Sequence, residues 1–187
     1  MASSIFTTTA MDAVGRVISL ADCAGRVTVV VNTASLCSFA PRNMQMLAEA
    51  QQHYAHARPG ATQILLFPTI DCGHQERMIP EEIVSWAGRD YGLDVHCLNE
   101  RAGVTFASVG AGGGCPCFLF GRCHVKSLGT NWKAPPVWEM LSAAVGPPQW
   151  NWTKYIVGAN GQTYARLPHL DCTFKQLKSH IDAALEM

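Results

Sequence analysis

Val27-Thr28-Val29-Val30-Val31-Asn32-Thr33-Ala34-Ser35-Leu36-Cys37-Ser38-Phe39-Ala40-Pro41 is the stretch whose reading decides the fold. Its continuous β-branched run, taken from Arg26 to Asn32, predicts a strand buried on both faces. A helical pattern follows from Arg42 to Ala57, with Met44, Leu47, Ala48 and Tyr54 forming a stripe near the 3.6-residue period. Pro41 suits the first turn of that helix, where a missing N–H is harmless. Cys37 falls between strand and helix. A cysteine there feels the positive end of the helix dipole, which favours thiolate over thiol. Taken alone, the same residue also reads as an inert, buried cysteine.

Working outward, Ile5 to Thr9 and Arg16 to Ser19 flank an Ala13-Val14-Gly15 turn and predict an N-terminal β-hairpin. Gln63 to Pro68 is a second buried strand, and Pro80-Glu81-Glu82 opens a helix running to Tyr91. Leu98 to Cys117 contains Gly103, Gly110, Gly112, Gly113 and Gly114 without a helical period, and is expected to be a long inserted loop. Its glycines lack the G-x-G-x-x-G spacing of a dinucleotide site. A strand from Phe118 to Lys126 and a helix from Ala134 to Ala144 come next. Thr153 to Val157 and Gln162 to Arg166 then bracket Gly158-Ala159-Asn160-Gly161, a hairpin signal, and Thr173 caps a closing helix that reaches Leu185. This order suggests an α/β, thioredoxin-like fold with an N-terminal β-hairpin and a long insertion before the fourth core strand region. Residues 1–187 are expected to form one domain.

At 187 residues, the chain is long enough to bury a core without staples. Its formal net charge is zero, so no charge pattern points to nucleic acid or an anionic membrane surface. No stretch reaches the ~18 uninterrupted apolar residues of a membrane span. The charged fraction of 15% is low, which fits a surface partly covered by partner subunits. Eight cysteines lie scattered through an α/β pattern, without a charged n-region or apolar h-region at the start. Free thiols in a reducing compartment are therefore expected, cytoplasmic or else mitochondrial without a long transit peptide.

Val31-Asn32-Thr33-Ala34-Ser35-Leu36-Cys37-Ser38-Phe39-Ala40-Pro41 resembles the N-V-A-S-x-C-G-F-T-P segment of glutathione peroxidases and their thioredoxin-dependent relatives. Leu66-Phe67-Pro68, with Gly73-His74-Gln75-Glu76 and Pro80-Glu81-Glu82-Ile83, is similar to that family's F-P-C-N-Q-F-G-x-Q-E block and the helix after it. Trp150-Asn151-Trp152-Thr153-Lys154-Tyr155-Ile156-Val157 resembles its W-N-F-x-K-F-L-V strand. The resemblance implies a thiol peroxidase for hydrogen peroxide or organic hydroperoxides. Cys37 would be the reactive thiol, with Gln75, Trp150 and Asn151 as neutral N–H donors. It implies no bound cofactor and an external thiol reductant, glutathione or a thioredoxin-like protein.

Several positions depart from the family pattern. Ser38 stands where the family has Gly, and Thr69-Ile70-Asp71-Cys72 replaces C-N-Q-F. An acid at Asp71, near the reactive thiol of Cys37, is expected to oppose its ionisation. Thioredoxin-dependent members carry a resolving cysteine on the helix after the glutamine loop, where this chain reads Ser85-Trp86-Ala87-Gly88-Arg89-Asp90. The remaining candidates for that role are Cys72, then Cys97, Cys115 and Cys117. Cys115-Pro116-Cys117 with Cys123-His124 offers metal-ligand types, but adjacent residues of a strand face opposite ways, so no metal site is expected. The insertion, the low charge and the missing resolving position also fit a second class of function. In that reading the chain is a structural or interaction subunit of a larger assembly, with weak or no peroxidase activity.

Overall fold

A computed structural model describes residues 4–126 and 133–187. Thr9–Met11 (β1) and Val17–Ser19 (β2) pair antiparallel as the N-terminal hairpin. The expected first strand is shorter and starts later, because Ile5–Thr7 forms a 3₁₀ turn whose Phe6 N–H is capped by Ser4 Oγ. Val27–Thr33 (β3) is buried throughout and leads into Ala40–Ala57 (α1), with Pro41 in the first turn. Thr62–Pro68 (β4) precedes Pro80–Tyr91 (α2). That helix begins with the Glu82 carboxylate accepting the Ile79 N–H at 3.0 Å and stops at Gly92, whose φ of 68° provides the left-handed cap.

Val95–Cys97 (β5) is a strand that the sequence pattern did not reveal. Within the expected loop from Leu98 to Cys117, Phe106–Gly110 forms a short helix (α3) capped by Thr105. The last residue of that segment already belongs to Cys117–Leu119 (β6), a strand with no exposed residue. The expected strand to Lys126 ends early. Gly121 passes so close to the hairpin that a Cβ there would lie 2.5 Å from the Asp12 carbonyl oxygen, and the chain leaves the sheet. Pro136–Val145 (α4), Lys154–Val157 (β7), Thr163–Leu167 (β8) and Phe174–Leu185 (α5) complete the fold. Thr173 caps α5 as the sequence predicts, and the Gln176 side chain returns a bond from the Thr173 N–H.

The main sheet runs β5-β6-β4-β3-β7-β8. The β5–β6, β6–β4 and β4–β3 pairs are parallel, whereas β3–β7 and β7–β8 are antiparallel. Alternate residues of β3 feed two cores. Val29 and Val31 join Leu47, Leu177 and Ile181 on one face, while Val30 joins Phe67, Phe118, Trp138 and Tyr155 on the other. This is the expected thioredoxin-like architecture. Three chain segments leave its centre on one side: the loop after β3, the loop after β4 and the turn before β7.

Candidate active site

Cys37 lies in the loop between β3 and α1. Its N–H donates to the Ala34 carbonyl at 3.3 Å, and its carbonyl accepts the Ala40 N–H at 2.8 Å as the helix begins. The residue is only 3% exposed, but Leu36 beside it is 55% exposed. The loop is fixed from the other side by Glu76, which is itself buried. Its carboxylate accepts the Ser35 N–H at 2.9 Å, the Ser35 hydroxyl at 2.7 Å and the Met78 N–H at 3.0 Å. Charge-assisted bonds of this kind are the strong ones, each contributing roughly 1.5–3 kcal/mol. The Leu36 N–H also donates to the Gln75 carbonyl at 2.9 Å, so the cysteine and glutamine loops are laced backbone to backbone.

Asn151 ties the third segment in. Its Nδ2 donates to the Gln75 Oε1 at 3.0 Å and to the Cys72 carbonyl at 2.8 Å. Both amide protons are thereby spent on protein acceptors, where the resemblance implied donation to a peroxide. With its oxygen held by Asn151, the Gln75 carboxamide has its Nε2 end left to donate. A Cβ on Gly73 would lie 3.5 Å from both the Trp150 Cζ2 and the Gln75 Cδ, which places the indole and the carboxamide over the same glycine. Trp150 remains 36% exposed.

The Trp150-Asn151 pair is held by its surroundings. Trp152 adopts a left-handed φ of 70°, a strained conformation for a bulky side chain, and is fully buried. Its N–H donates to the Asn32 carbonyl at 2.7 Å, while Asn32 Nδ2 donates to the Trp150 carbonyl at 3.0 Å. Thr153 Oγ1 donates to that carbonyl as well, at 2.9 Å. One β3 asparagine thus anchors the turn that carries Asn151. Glu76, Asn32 and Thr153 were not singled out by sequence reasoning, although all three lie inside the quoted motifs.

Asp71 is held by the segment after β6. Its carboxylate accepts the Val125 N–H at 2.6 Å and the Lys126 N–H at 3.0 Å, and pairs with the His124 Nδ1 at 2.5 Å. The thiols that its charge pushes up are Cys72 and Cys123. For Cys72, burial is the leading cause of a raised pKa. Lys126 opposes it, Asp71 and Cys37 add to it, and the adjacent Asn151 peptide N–H lowers it.

The remaining candidate thiols lie elsewhere, and Cys115 and Cys117 are buried rather than loose loop residues. Cys97 sits on β5 at the sheet edge, pushed up to about 11 by burial and by Glu81. Cys115, near Thr62 and Arg26, lies at the opposite end of β3 from Cys37, roughly 20 Å away at the rise of a strand. Cys117 is paired with Ile64 inside the sheet, and burial drives its pKa well up. Cys123 belongs to the core around Trp138 while His124 turns to Asp71, so the residues weighed as metal ligands face different partners.

Comparison with known proteins agrees with this geometry. The glutathione peroxidase family model matches residues 5–104. The human protein named "Probable glutathione peroxidase 8" is 29% identical over 160 residues, covering 86% of this chain and 63% of that protein. The chain therefore spans less than two thirds of that relative's length. A glutathione peroxidase-like peroxiredoxin of Candida albicans is 29% identical over 181 residues, covering 97% of this chain and 93% of the other. Among solved structures, the apo form of the protein called Trgpx superposes with a TM-score of 0.68 at 19% identity, covering 100% of this chain and 98% of that one. The family's three sequence motifs meet at a single end of the central strands, and the family model spans more than half of the residues, so the chain belongs to the glutathione peroxidase family.

Proposed function

We propose that this protein is a thiol peroxidase in which Cys37 is the nucleophile. The thiolate attacks one oxygen of a hydroperoxide, the O–O bond breaks, and the sulfur becomes a sulfenic acid while water or an alcohol leaves. Charge moves from sulfur to the departing oxygen, so donors fixed in advance at that place lower the barrier. Gln75 Nε2 and the Trp150 indole N–H are assigned that role. Asn151 is assigned the positioning of Gln75. The observation carrying this reading is the pair of bonds from Asn151 Nδ2 to the Gln75 side chain and the Cys72 backbone, which joins the segments around Cys37.

Substrate is assigned as hydrogen peroxide or an organic hydroperoxide. The reductant is a thiol, either glutathione or a thioredoxin-like protein, and the proposed chemistry uses no bound cofactor. The relatives named above are peroxidases and a peroxiredoxin, which supports this reading over a purely structural subunit. The test is hydroperoxide consumption with each reductant, together with sulfenic-acid labelling of Cys37. Both are expected to vanish in Cys37→Ser; equal turnover in that variant removes Cys37 from the chemistry.

A further inference from the structure

We propose that a cavity between the N-terminal hairpin and the 98–106 segment binds a small organic cation, a primary ammonium on a short apolar stem, anchored by the Asp12 carboxylate. The site is separate from Cys37. Its buried walls Leu98 and Phe106 belong to the core on the Val30 face of the main sheet, whereas Cys37 belongs to the opposite core.

Asp12 follows β1, where the hairpin turns, and is fully buried. Its Oδ1 accepts the Val14 N–H at 3.0 Å and the Arg16 N–H at 2.8 Å, which closes the turn. Oδ2 takes no part in that turn. It is buried and has no partner among the described residues. A carboxylate oxygen withdrawn from water without a donor is destabilising, and an ionised one calls for a cation. Asp12 lines a cavity of about 110 Å³ in which such a group fits. The Ala13 N–H donates to the Leu98 carbonyl at 3.2 Å, which fastens the hairpin to the facing wall.

The rest of the lining selects the kind of cation. Ser19, Asn99 and Thr105 contribute neutral oxygens, and the exposed Asp22 adds a second carboxylate that draws positive charge to the entrance. Each neutral oxygen already accepts a backbone N–H: Ser19 Oγ from Ala21 at 3.1 Å, Asn99 Oδ1 from Ala102 at 3.3 Å, and Thr105 Oγ1 from Ser108 at 3.1 Å. A calcium ion takes about six to eight oxygen ligands, more than this set has to spare. Among the described residues no group of three or more His, Cys, Asp or Glu side chains is placed to hold a metal. An ammonium needs fewer acceptors, because it has only three protons to donate. Ile18, Leu98 and Phe106 meanwhile offer a hydrocarbon wall that suits an alkyl stem. Volume bounds its length: a cavity of about 150 Å³ holds benzene, so this one takes roughly four or five heavy atoms.

The experiment titrates the full chain with n-butylammonium chloride at pH 7 and constant ionic strength, following the amide NMR signals of Val14, Arg16 and Thr105. Parallel titrations use 1-butanol and calcium chloride. The expected result is a saturable shift of these amides by butylammonium. Binding of 1-butanol, which has the same stem without the charge, should be weaker by about tenfold or more. Asp12→Asn keeps an oxygen for the turn but removes the charge, and should weaken the amine by about tenfold or more as well. Asp22→Asn, at an exposed position, should weaken it about twofold. Absence of saturable shifts, equal binding of 1-butanol, undiminished binding by Asp12→Asn, or tighter saturation of the same amides by calcium each overturns the proposal. The comparison of amine with alcohol uses the wild type alone, so it decides the matter even if Asp12→Asn fails to fold.

Discussion

Two buried carboxylates stand on either side of the glutamine loop, and each accepts three hydrogen bonds. Glu76 takes the Ser35 N–H, the Ser35 hydroxyl and the Met78 N–H. Asp71 takes the Val125 and Lys126 N–H groups and pairs with His124. Glu76 draws the loop toward the cysteine; Asp71 draws it outward to the segment after β6. From sequence, Asp71 was expected to oppose ionisation of the reactive thiol, and Glu76 was not singled out. The difference teaches that a buried acid acts through the groups that satisfy it. Its distance along the chain from a thiol is a poor guide.

Removing Glu76 should have the largest effect. Glu76→Ala leaves the Ser35 and Met78 N–H groups without their acceptor and should cost about 3–5 kcal/mol in urea unfolding. A loss below about 1 kcal/mol would break the comparison.

Lys154 extends the comparison to a cation. It is fully buried, its Nζ donates to the Pro168 carbonyl at 3.1 Å, and burial lowers its pKa to about 8 from 10.5. Between those values the unfolded chain binds more protons than the folded one, so this group's contribution to stability rises with pH. Below pH 8 the folded ammonium costs about 3 kcal/mol, which is regained toward pH 10.5. Cys23 and Cys123, pushed up to about 12 mainly by burial, act oppositely: above pH 9 the unfolded chain releases protons that the folded one keeps. Their effect cancels in a difference. The stability gap between wild type and Lys154→Met should therefore move in favour of the wild type by about 2–3 kcal/mol from pH 7 to 10. A gap independent of pH would contradict the buried-cation account.

Asp71→Ala should cost less than Glu76→Ala, about 2 kcal/mol, because its partners lie on a partly exposed segment. Hydrogen exchange should quicken at the Val125 and Lys126 amides. An equal or greater loss than for Glu76→Ala would reverse the ranking. Trp150→Phe, which touches neither carboxylate, should leave stability within about 0.5 kcal/mol. Peroxide reactivity should still fall about tenfold through loss of the indole N–H. Unchanged reactivity would take Trp150 out of the donor set.

The elements with regular periodicity were legible in the sequence: β3, α1, β4, α2 and α5 fall within two residues of their predicted bounds. What was missed has local causes. β5 is three residues long and half-buried, too short to establish a period. The Leu98 to Cys117 stretch looked formless because its glycines mask a five-residue helix whose signal is the Thr105 cap. At the site, residue types were readable but their wiring was not. Asn151 was expected to donate to a substrate, and only the folded structure shows its amide donating to the Cys72 carbonyl and the Gln75 side chain. Glu76 carries no apolar pattern and becomes significant only when Ser35, 41 positions earlier, folds against it.

The placement of β7 has a consequence for synthesis. The antiparallel strand that docks against β3 is translated well after β3 and β4, yet the turn before it carries Asn151 and Trp150. A nascent chain still lacking that strand can form the Leu36–Gln75 and Ser35–Glu76 bonds between the two loops but not the Asn151 bonds that hold the Gln75 side chain and the Cys72 backbone. Maturation of the reactive centre is thus a late event, coupled to final closure of the sheet rather than to the early formation of its amino-terminal half.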